Sequence, residues 1–576
     1  MKHFFLVLWI VILILTICFP AFSAYHHEGE KDANKFLEAY PEKAGTKLDH
    51  CALCHSGGEY EKKPGKWVEL GSCQWCHRTY GYDGAGDITE TINSYGAAYK
   101  DAGRNADAVN STADDDSDDD GYSNSDEIAA NTFPGDDSDH PGLETAAYRV
   151  YTRGQLEAMT QHTQFLLMNT SRSGDFFAQY TGIPIKDLLD DAGILDSAEG
   201  ITVIAPDGWY QDHPLYYNED LDMYHVYGDT TGQEYQYPPS TYYYDSEADT
   251  DTNSDYGWCD YTAPSSRGRS HSDQIFVEGG LKAILAIQRD GRNLDPGVLN
   301  DENKLDGEGP YRVVVPQKFP SPPDQSSTSD SQDVIWPYTE EWDHNAGSCS
   351  KSATIIRVDP LPEGTTDIDT LETGWSYIDQ GKIIIYGAID GTDSNGNGIL
   401  DSEEFASGTT TDFDEDGTPD YQDEDTASPR NPNGMKNIVM HTSNGSFAKV
   451  KALTSDAPEV SQTGKPSGKS FPYGVLDFSI TDLSSGGTVT VALVFPDNVP
   501  EDAEYYKIIG NEWISIPFGS NDGDATITIS LTDGDAATDA DAQANGVITD
   551  PGALAIHKPD GSNDNGACFI NTLLGK

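Results

Sequence analysis

Two copies of the sequence Cys-x-x-Cys-His, at residues 51–55 and 73–77, constrain the fold of this chain more than any other feature. With this spacing two thiols can add to the vinyl groups of one porphyrin while the adjoining histidine reaches its iron. A short segment of this kind is organised by its cofactors. We therefore expect two c-type haems, held by Cys51, Cys54, His55, Cys73, Cys76 and His77.

Two other uses of these cysteines stay open. Their C-x2-C-x18-C-x2-C spacing falls within the range of zinc ribbons, and in an exported chain they could pair as disulfides. Neither alternative explains why a histidine directly follows both cysteine pairs. The haem interpretation is therefore preferred.

The second axial ligands are predicted to be histidines. No methionine lies between residues 25 and 158, whereas His26, His27 and His50 are close to the motifs in sequence. Bis-histidine ligation would give lower potentials than His/Met ligation. His50 adjoins Cys51, so we expect it to serve the other haem, with a solvated surface histidine as the alternative.

Three acidic stretches match the twelve-residue calcium-binding loop. Side chains at positions 1, 3 and 5, a carbonyl at 7 and an acid at 12 supply oxygen ligands, and glycine at 6 permits the turn. The alternative is a solvated acidic linker. The predicted ligands are Asp116, Asp118, Asp120, Tyr122 and Glu127; Asp393, Asn395, Asn397, Ile399, Asp401 and Glu404; and Asp412, Asp414, Asp416, Thr418 and Asp423.

The net charge supports cation binding and argues against nucleic acid. There are 35 Lys and Arg against 97 Asp and Glu, a formal charge of −62, which repels phosphate backbones.

The N-terminal residues are typical of a cleaved signal peptide: Lys2 is followed by an apolar run over residues 4–19 and by small residues at 21, 23 and 24. An uncleaved membrane anchor is the alternative. We expect export to the periplasm, the outer-membrane surface or the extracellular space.

The 576 residues are expected to form several domains. Helical patterning is seen over 152–168 and 185–192, and strand patterning over 201–205, 312–315, 383–386, 488–495, 505–509 and 525–531. The predicted order is a signal peptide (1–24), a haem-organised segment (25–110), a calcium-binding linker (111–142), an α+β domain (143–388), calcium-binding repeats (389–430), an all-β sandwich (431–558) and a tail (559–576).

The central domain resembles a known oxidoreductase fold. Residues 180–193 (YTGIPIKDLLDDAG) and 201–210 (ITVIAPDGWY) look like part of the molybdopterin-binding fold related to sulfite oxidases, and 307–316 (GEGPYRVVVP) is similar to its closing stretch. Together with the haem motifs, the Gly-Glu-Gly-Pro sequence makes residues 25–390 resemble the bacterial diheme proteins named for that motif. The flanking calcium loops resemble thrombospondin type 3 repeats, most closely over 412–425.

The resemblance also implies what to expect of the cofactor. In sulfite oxidases a cysteine thiolate binds molybdenum, but Cys259 and Cys349 do not align with that ligand, so we expect a domain without molybdopterin. A disulfide between these two cysteines is the favoured expectation. Glu308 and Arg312 are expected to form a buried ion pair, with an anion-binding pair as the alternative.

The C-terminal domain resembles the choice-of-anchor domains of exported bacterial proteins through residues 489–495, 503–507 and 531–552. The tail sequence CFINT at 568–572 is similar to tails that follow such domains, but no hydrophobic span accompanies it. Attachment to the cell envelope is therefore an open alternative.

These features predict an exported diheme cytochrome that exchanges electrons with protein partners such as other cytochromes. The first alternative is a haem-coupled oxidoreductase with a molybdopterin or other centre in residues 143–388. The second is a structural or adhesion protein of the cell surface.

Overall fold

The computed structural model describes residues 31–44, 46–49, 51–63, 65–70, 91–171, 174–206, 209–217, 223–227, 237–238, 240–243, 270, 272–299, 305–324, 339–367, 370–405 and 411–558. The described part is mostly β-sheet with few helices. It divides into two compact units, one formed by Met1–Tyr148, His162–Lys186 and Asp196–Ala388, the other by Arg149–Gln161, Asp187–Leu195 and Ile389–Lys576.

The helices are α1 (Lys31–Ala39), α2 (Ser94–Asp101), α3 (Ala106–Ser111), α4 (Asn124–Ala130), α5 (Arg153–Ala158), α6 (Ile185–Ala192), α7 (Thr370–Gln380) and α8 (Asp401–Glu404), with 3-10 turns at Pro41–Lys43, Cys51–Cys54, Asn345–Ser348 and Asp420–Gln422.

The strands are β1 (Gly58–Lys63), β2 (Lys66–Leu70), β3 (Glu144–Thr145), β4 (Tyr148–Thr152), β5 (His162–Met168), β6 (Phe176–Pro184), β7 (Gly200–Ile204), β8 (Tyr210–Pro214), β9 (Ile284–Arg289), β10 (Arg292–Asn293), β11 (Val298–Leu299), β12 (Leu305–Asp306), β13 (Arg312–Val314), β14 (Ile355–Asp359), β15 (Thr365–Thr366), β16 (Lys382–Gly387), β17 (Thr426–Ala427), β18 (Val439–Thr442), β19 (Ser446–Leu453), β20 (Lys469–Ser470), β21 (Val475–Thr481), β22 (Thr488–Val494), β23 (Glu504–Ile509), β24 (Glu512–Ile516), β25 (Thr526–Thr532) and β26 (Ile548–His557).

The N-terminal part of the first unit is a small helical cluster with its own core. The side chains of Asn93, Asn105 and Ser123 accept hydrogen bonds at the starts of α2, α3 and α4, which satisfies backbone N–H groups there. Apolar residues from α1 to α4 and from the Cys51–Cys54 turn are buried together: Phe36, Leu48, Ala52, Leu53, Tyr95, Tyr99, Ala108, Val109, Ile128 and Phe133. The turn that contains the first cysteine pair is therefore packed against the hydrophobic core of this cluster.

The rest of the first unit is built on strands. In one sheet the order is β10-β9-β6-β5, with β13 also paired to β9. In another, β16, β14, β7 and β8 are neighbours in that order; β14 runs parallel to β16 and antiparallel to β7. The strands predicted at 201–205, 312–315 and 383–386 are confirmed as β7, β13 and β16.

The two helix predictions of this region have different outcomes. The helix at 185–192 is confirmed as α6, which ends where Gly193 adopts a left-handed φ of 81°. The helix predicted over 152–168 is wrong beyond Ala158, because His162–Met168 forms strand β5. All of β5 except Thr163 is buried and the strand pairs with β6 over its whole length, so tertiary pairing overrides the local helical pattern.

The second unit contains two antiparallel sheets. Their orders are β17-β18-β22-β25 and β19-β21-β26-β23-β24, with β20 also paired to β26. Alternate residues of β22 (Val489, Val491 and Leu493) are buried, and residues of both sheets, such as Ile529 and Phe478, share one core. The predicted β-rich C-terminal region is confirmed, including the strands at 488–495, 505–509 and 525–531. Among the described residues, no helix has the length and apolar character needed to cross a bilayer.

Candidate functional site

The first Cys-x-x-Cys-His motif forms a short 3-10 turn whose apolar residues anchor it. Cys51 is exposed and Cys54 is partly buried, while Ala52 and Leu53 between them belong to the core of the N-terminal cluster. Burial raises the pKa of the Cys54 thiol to about 12. The two sulfurs thus lie on one short turn that is anchored in the core.

His55 is held by its Nδ1 atom. Nδ1 lies 3.0 Å from the carbonyl oxygen of Thr91 and 3.2 Å from its hydroxyl, and the residue is 6% exposed. Donation from Nδ1–H to the carbonyl places the lone pair of the neutral ring on Nε2. Burial lowers the pKa of His55 to about 4, so the ring is neutral at pH 7. A neutral, oriented imidazole with a basic Nε2 is the form that binds haem iron.

Asn93 joins this turn to α2. Its Oδ1 accepts a hydrogen bond from Gly96 N (2.7 Å), while its Nδ2 donates to the carbonyls of Leu53 (3.1 Å) and Ser56 (2.7 Å). Asn93 is 2% exposed. The sequence did not single out this residue, because its role depends on contacts with residues some forty positions away.

The other predicted haem ligands lie outside the described residues. These are Cys73, Cys76 and His77 of the second motif and the candidate axial ligands His26, His27 and His50. Their roles remain predictions from sequence.

The three calcium-type loops share one backbone conformation. The fourth residue of each loop has a left-handed φ of 65°, 71° and 63°, at Asp119, Gly396 and Glu415. The glycine at position 6 has φ of 100°, 92° and 101°, at Gly121, Gly398 and Gly417. A side chain at position 6 would be strained there, which explains why glycine recurs.

The same hydrogen bonds also recur in each loop. The N–H at position 6 donates to the first aspartate over 3.0, 2.9 and 3.0 Å, in Asp116, Asp393 and Asp412. The N–H at position 9 donates to the carbonyl just before the loop, over 2.8, 2.8 and 2.9 Å, in Asn124, Asp401 and Asp420. In the first and third loops the side-chain oxygens at positions 1, 3 and 5 lie within 4.8 Å of one another.

The first loop contains buried oxygens that lack partners. Glu127 is fully buried, and neither of its carboxylate oxygens has a hydrogen-bond partner among the described residues. Within the same described part, Oδ2 of Asp118, Oδ2 of Asp120 and Oδ1 of Asn124 are also buried without partners. Burial and then the charges of Asp118, Asp120 and Asp116 raise the pKa of Glu127 to about 9. A divalent cation would satisfy this set of hard oxygen donors.

The second loop ends at Glu404, whose carboxylate has hydrogen-bond donors for only one of its two oxygens within the described ranges. Oε1 of Glu404 accepts hydrogen bonds from Ser428 N (2.8 Å) and Asn397 Nδ2 (3.0 Å), while Oε2 is buried without a partner within the described ranges. Burial raises the pKa of Glu404 to about 8. Asp401 accepts bonds from both the N–H and the hydroxyl of Ser394, so it shapes the loop.

The third loop is more exposed, and it approaches a histidine that sequence alone could not place. Asp414, Asp425 and His441 could offer ligand atoms within 4.8 Å of one another. Asp420, at position 9, accepts a bond from Phe413 N (2.7 Å) and keeps one buried oxygen without a partner in the described part of the chain. Burial raises the pKa of Asp423 to about 6.

Two position-9 residues, Asn124 and Asp420, were missing from the predicted ligands. Position 9 is a ligand position in this type of loop, often through water, so the loop pattern itself contained the signal. His441 had no such signal, because it belongs to strand β18.

The Gly-Glu-Gly-Pro sequence contributes a buried ionic cluster. Glu308 binds Arg289 (2.7 Å) and Arg312 (2.8 Å), and Arg312 also donates to the hydroxyl of Tyr180 (2.9 Å). All four residues are at most 6% exposed. The predicted buried contact of Glu308 and Arg312 is confirmed.

Of the two central cysteines, only Cys349 is described. Its sulfur lies 3.4 Å from Val315 N and 3.4 Å from the carbonyl oxygen of Asn345, and burial raises its pKa to about 11. Cys259, its predicted disulfide partner, lies outside the described residues, so this pairing stays a prediction.

No protein-family model, curated protein or solved structure matches the chain. The candidate sites are therefore supported by sequence motifs and local geometry alone.

Proposed function

We propose that this protein is an exported diheme c-type cytochrome that exchanges electrons with partner proteins. The observation that carries the proposal is the orientation of His55, whose Nδ1 faces the Thr91 carbonyl directly after a rigid turn bearing Cys51 and Cys54. Covalently bound haem would supply one-electron transfer at this position. The chain supplies the two thiols, fixes the imidazole tautomer and packs the segment on an apolar core.

We propose that calcium is the second cofactor. It would bind the loops that begin at Asp116, Asp393 and Asp412, where the backbone turns are alike and each loop keeps at least one buried oxygen without a partner among the described residues. Each cation would offset a local concentration of negative charge and make these segments rigid. A constant extracellular calcium level favours a structural role over a sensing role.

For the central region we propose a descendant of the molybdopterin fold that does not bind the cofactor. Neither Cys259 nor Cys349 aligns with the thiolate ligand of sulfite oxidases, and the buried sulfur of Cys349 already lies 3.4 Å from Val315 N. For residues 431–558 we propose a choice-of-anchor-like sandwich, supported by the two sheets that share one core. It would hold the protein at the periplasmic or outer cell surface.

The test is cofactor analysis of the full chain purified from a host that matures c-type cytochromes. Denatured wild-type protein should retain two haems, the double variant Cys51→Ala/Cys54→Ala should retain one, and the control Cys349→Ser should retain two. Bound zinc with no covalent haem would refute the proposal.

The same sample separates electron transfer from catalysis. We expect the haems to exchange electrons with small dyes or another cytochrome, without molybdenum, pterin or turnover of sulfite. Stoichiometric molybdenum together with substrate-dependent haem reduction would instead show an oxidoreductase. Haems that exchange electrons with no partner would favour a structural protein.

A further inference from the structure

We propose that cation binding to the first calcium-type loop, residues 116–127, is coupled energetically to the order of the first haem-attachment segment, residues 51–58. The identification of 51–58 as a haem-attachment segment rests on the proposed function. The coupling itself rests on contacts among the described residues of the first unit.

The first contact is a shared core. Helix α4 begins inside the loop at Asn124 and includes Glu127, the last loop residue. The next residue, Ile128, is 1% exposed and belongs to the same hydrophobic cluster as Ala52 and Leu53. The loop's terminal ligand and a core residue beneath the haem motif are therefore neighbours on one helix.

The second contact is the chain that follows α4. Phe133 joins the same core, and the carboxylate of Asp136 accepts a 2.5 Å hydrogen bond from the hydroxyl of Ser56. Gly57 packs so closely that an added Cβ would lie 2.5 Å from the carbonyl oxygen of Gly135. Residues 133–136 therefore pack directly against the segment that contains His55.

The energy of the coupling comes from Glu127. Both of its oxygens are buried and lack partners among the described residues, as do oxygens of Asp118 and Asp120. Buried carboxyl oxygens without hydrogen-bond partners destabilise the folded loop, and a divalent cation bound there offsets this cost. Without the cation, the carboxyl group of Glu127 gains hydration when α4 moves outward, and this motion withdraws Ile128 from the core.

The second loop offers a matched control. Glu404 occupies the same position 12, but it belongs to the second unit, and one of its oxygens has two hydrogen-bond donors. The variants Glu127→Gln and Glu404→Gln therefore make the same chemical change at equivalent loop positions. Only the first alters a loop that shares a core with the haem motif.

The experiment is hydrogen exchange of backbone amides in the full chain, with saturating calcium and after chelation. The amides of His55, Ser56 and Gly58 donate hydrogen bonds to the carbonyls of Ala52 and His55 and report on the segment. Chelation should accelerate their exchange by about tenfold or more in wild type and in Glu404→Gln. In Glu127→Gln position 12 no longer offers a carboxylate to the cation, so exchange of these amides should respond much less to chelation than in wild type.

The outcomes distinguish this inference from the proposed function. Calcium-dependent exchange at residues 51–58 in protein without covalent haem would support the coupling and refute the haem assignment. Two covalent haems with exchange at 51–58 that ignores chelation would leave the haem proposal intact and overturn the coupling. A Glu127→Gln variant that responds to chelation as wild type does would also overturn it.

Discussion

Ser56 and Asp136 are joined by a 2.5 Å hydrogen bond although 80 positions separate them in the chain. The serine follows His55 directly, and the aspartate lies beyond helix α4 at 5% exposure. Ser138 donates to the other oxygen of the same carboxylate over 2.6 Å. Asp136 therefore connects the segment of the first Cys-x-x-Cys-His motif to the chain that leaves the first calcium-type loop.

Replacing Ser56 with alanine removes this hydrogen bond and should destabilise the contact between the two segments. The variant leaves one buried oxygen of Asp136 without its donor, which costs about 1–3 kcal/mol. The thermal unfolding midpoint of the first unit should fall. Ser111→Ala is the control, because the Ser111 hydroxyl bonds only to a carbonyl of its own helix in the described structure. Equal midpoints for the two variants would show that the Ser56 bond contributes nothing.

The second and third loops should respond differently to one substitution at Asn395. Its Nδ2 lies within hydrogen-bond distance of the carbonyls of Asp420 (3.3 Å), Asp423 (3.2 Å) and Thr426 (3.4 Å), while its Oδ1 accepts a bond from Asn397 N. The variant Asn395→Asp keeps an oxygen ligand for the second loop but removes the amide that holds the third. We expect faster proteolysis at residues 411–425 in saturating calcium.

Asn397→Asp is the control for this prediction. It changes an amide to a carboxylate at position 5 of the same loop, but Asn397 Nδ2 donates to Glu404 and not to the third loop. If both variants are cleaved equally at 411–425, the bridge from Asn395 does not order the third loop.

Breaking a buried ion pair should destabilise the C-terminal sheets. Lys507 Nζ lies 2.8 Å from Oδ1 of Asp550, and neither side chain is exposed. Lys507→Met leaves the buried aspartate without its counter-ion and should lower the free energy of unfolding by about 3–5 kcal/mol. The double variant Lys507→Met/Asp550→Leu should recover most of this lost stability. Urea denaturation of the full chain, followed by hydrogen exchange in β23 and β26, measures both changes.

The pair of Lys469 and Glu504 is the control, since its carboxylate is 40% exposed and Lys469 lies on β20 beside the same strand β26. Lys469→Met should cost less than about 1 kcal/mol. A loss from Lys507→Met no larger than this would contradict the prediction.

Asp191 should stabilise the second unit in a pH-dependent way. It lies 2.8 Å from Arg430 and 3.3 Å from Arg149, and Tyr151 donates to it over 2.7 Å. Burial alone would raise the pKa of Asp191, but the two guanidinium groups outweigh burial and lower it. A lowered folded-state pKa contributes stability above the unfolded value of about 3.9, and this contribution is lost as the pH falls through the folded value.

Asp191→Asn should therefore lower the free energy of unfolding by about 3–5 kcal/mol at pH 7, because two buried arginines lose their anion. The difference from wild type should shrink below about pH 3.9. Asp187→Asn, at an exposed position of the same helix, should have little effect at either pH. A deficit that stays constant down to acid pH would exclude the charge interaction as its cause.

Sequence by itself determined the features whose residues are contiguous. The turn of the first Cys-x-x-Cys-His motif and the three calcium-type loops depend on neighbours within twelve positions. Glycines such as Gly121 and Gly417, with φ near 100°, follow from local backbone geometry. The alternation along β22 likewise follows from the two-residue period of a strand against one core.

Tertiary structure decided the rest. Thr91 and Asn93 became partners of the His55 segment, Asp136 became the partner of Ser56, and His441 came beside Asp425 only through folding. Residues 162–168 form a strand although their local pattern predicts a helix. They pair with β6 over their whole length, and all of them except Thr163 are buried. In each case the deciding energy is burial or hydrogen bonding between segments far apart in sequence, which no local pattern encodes.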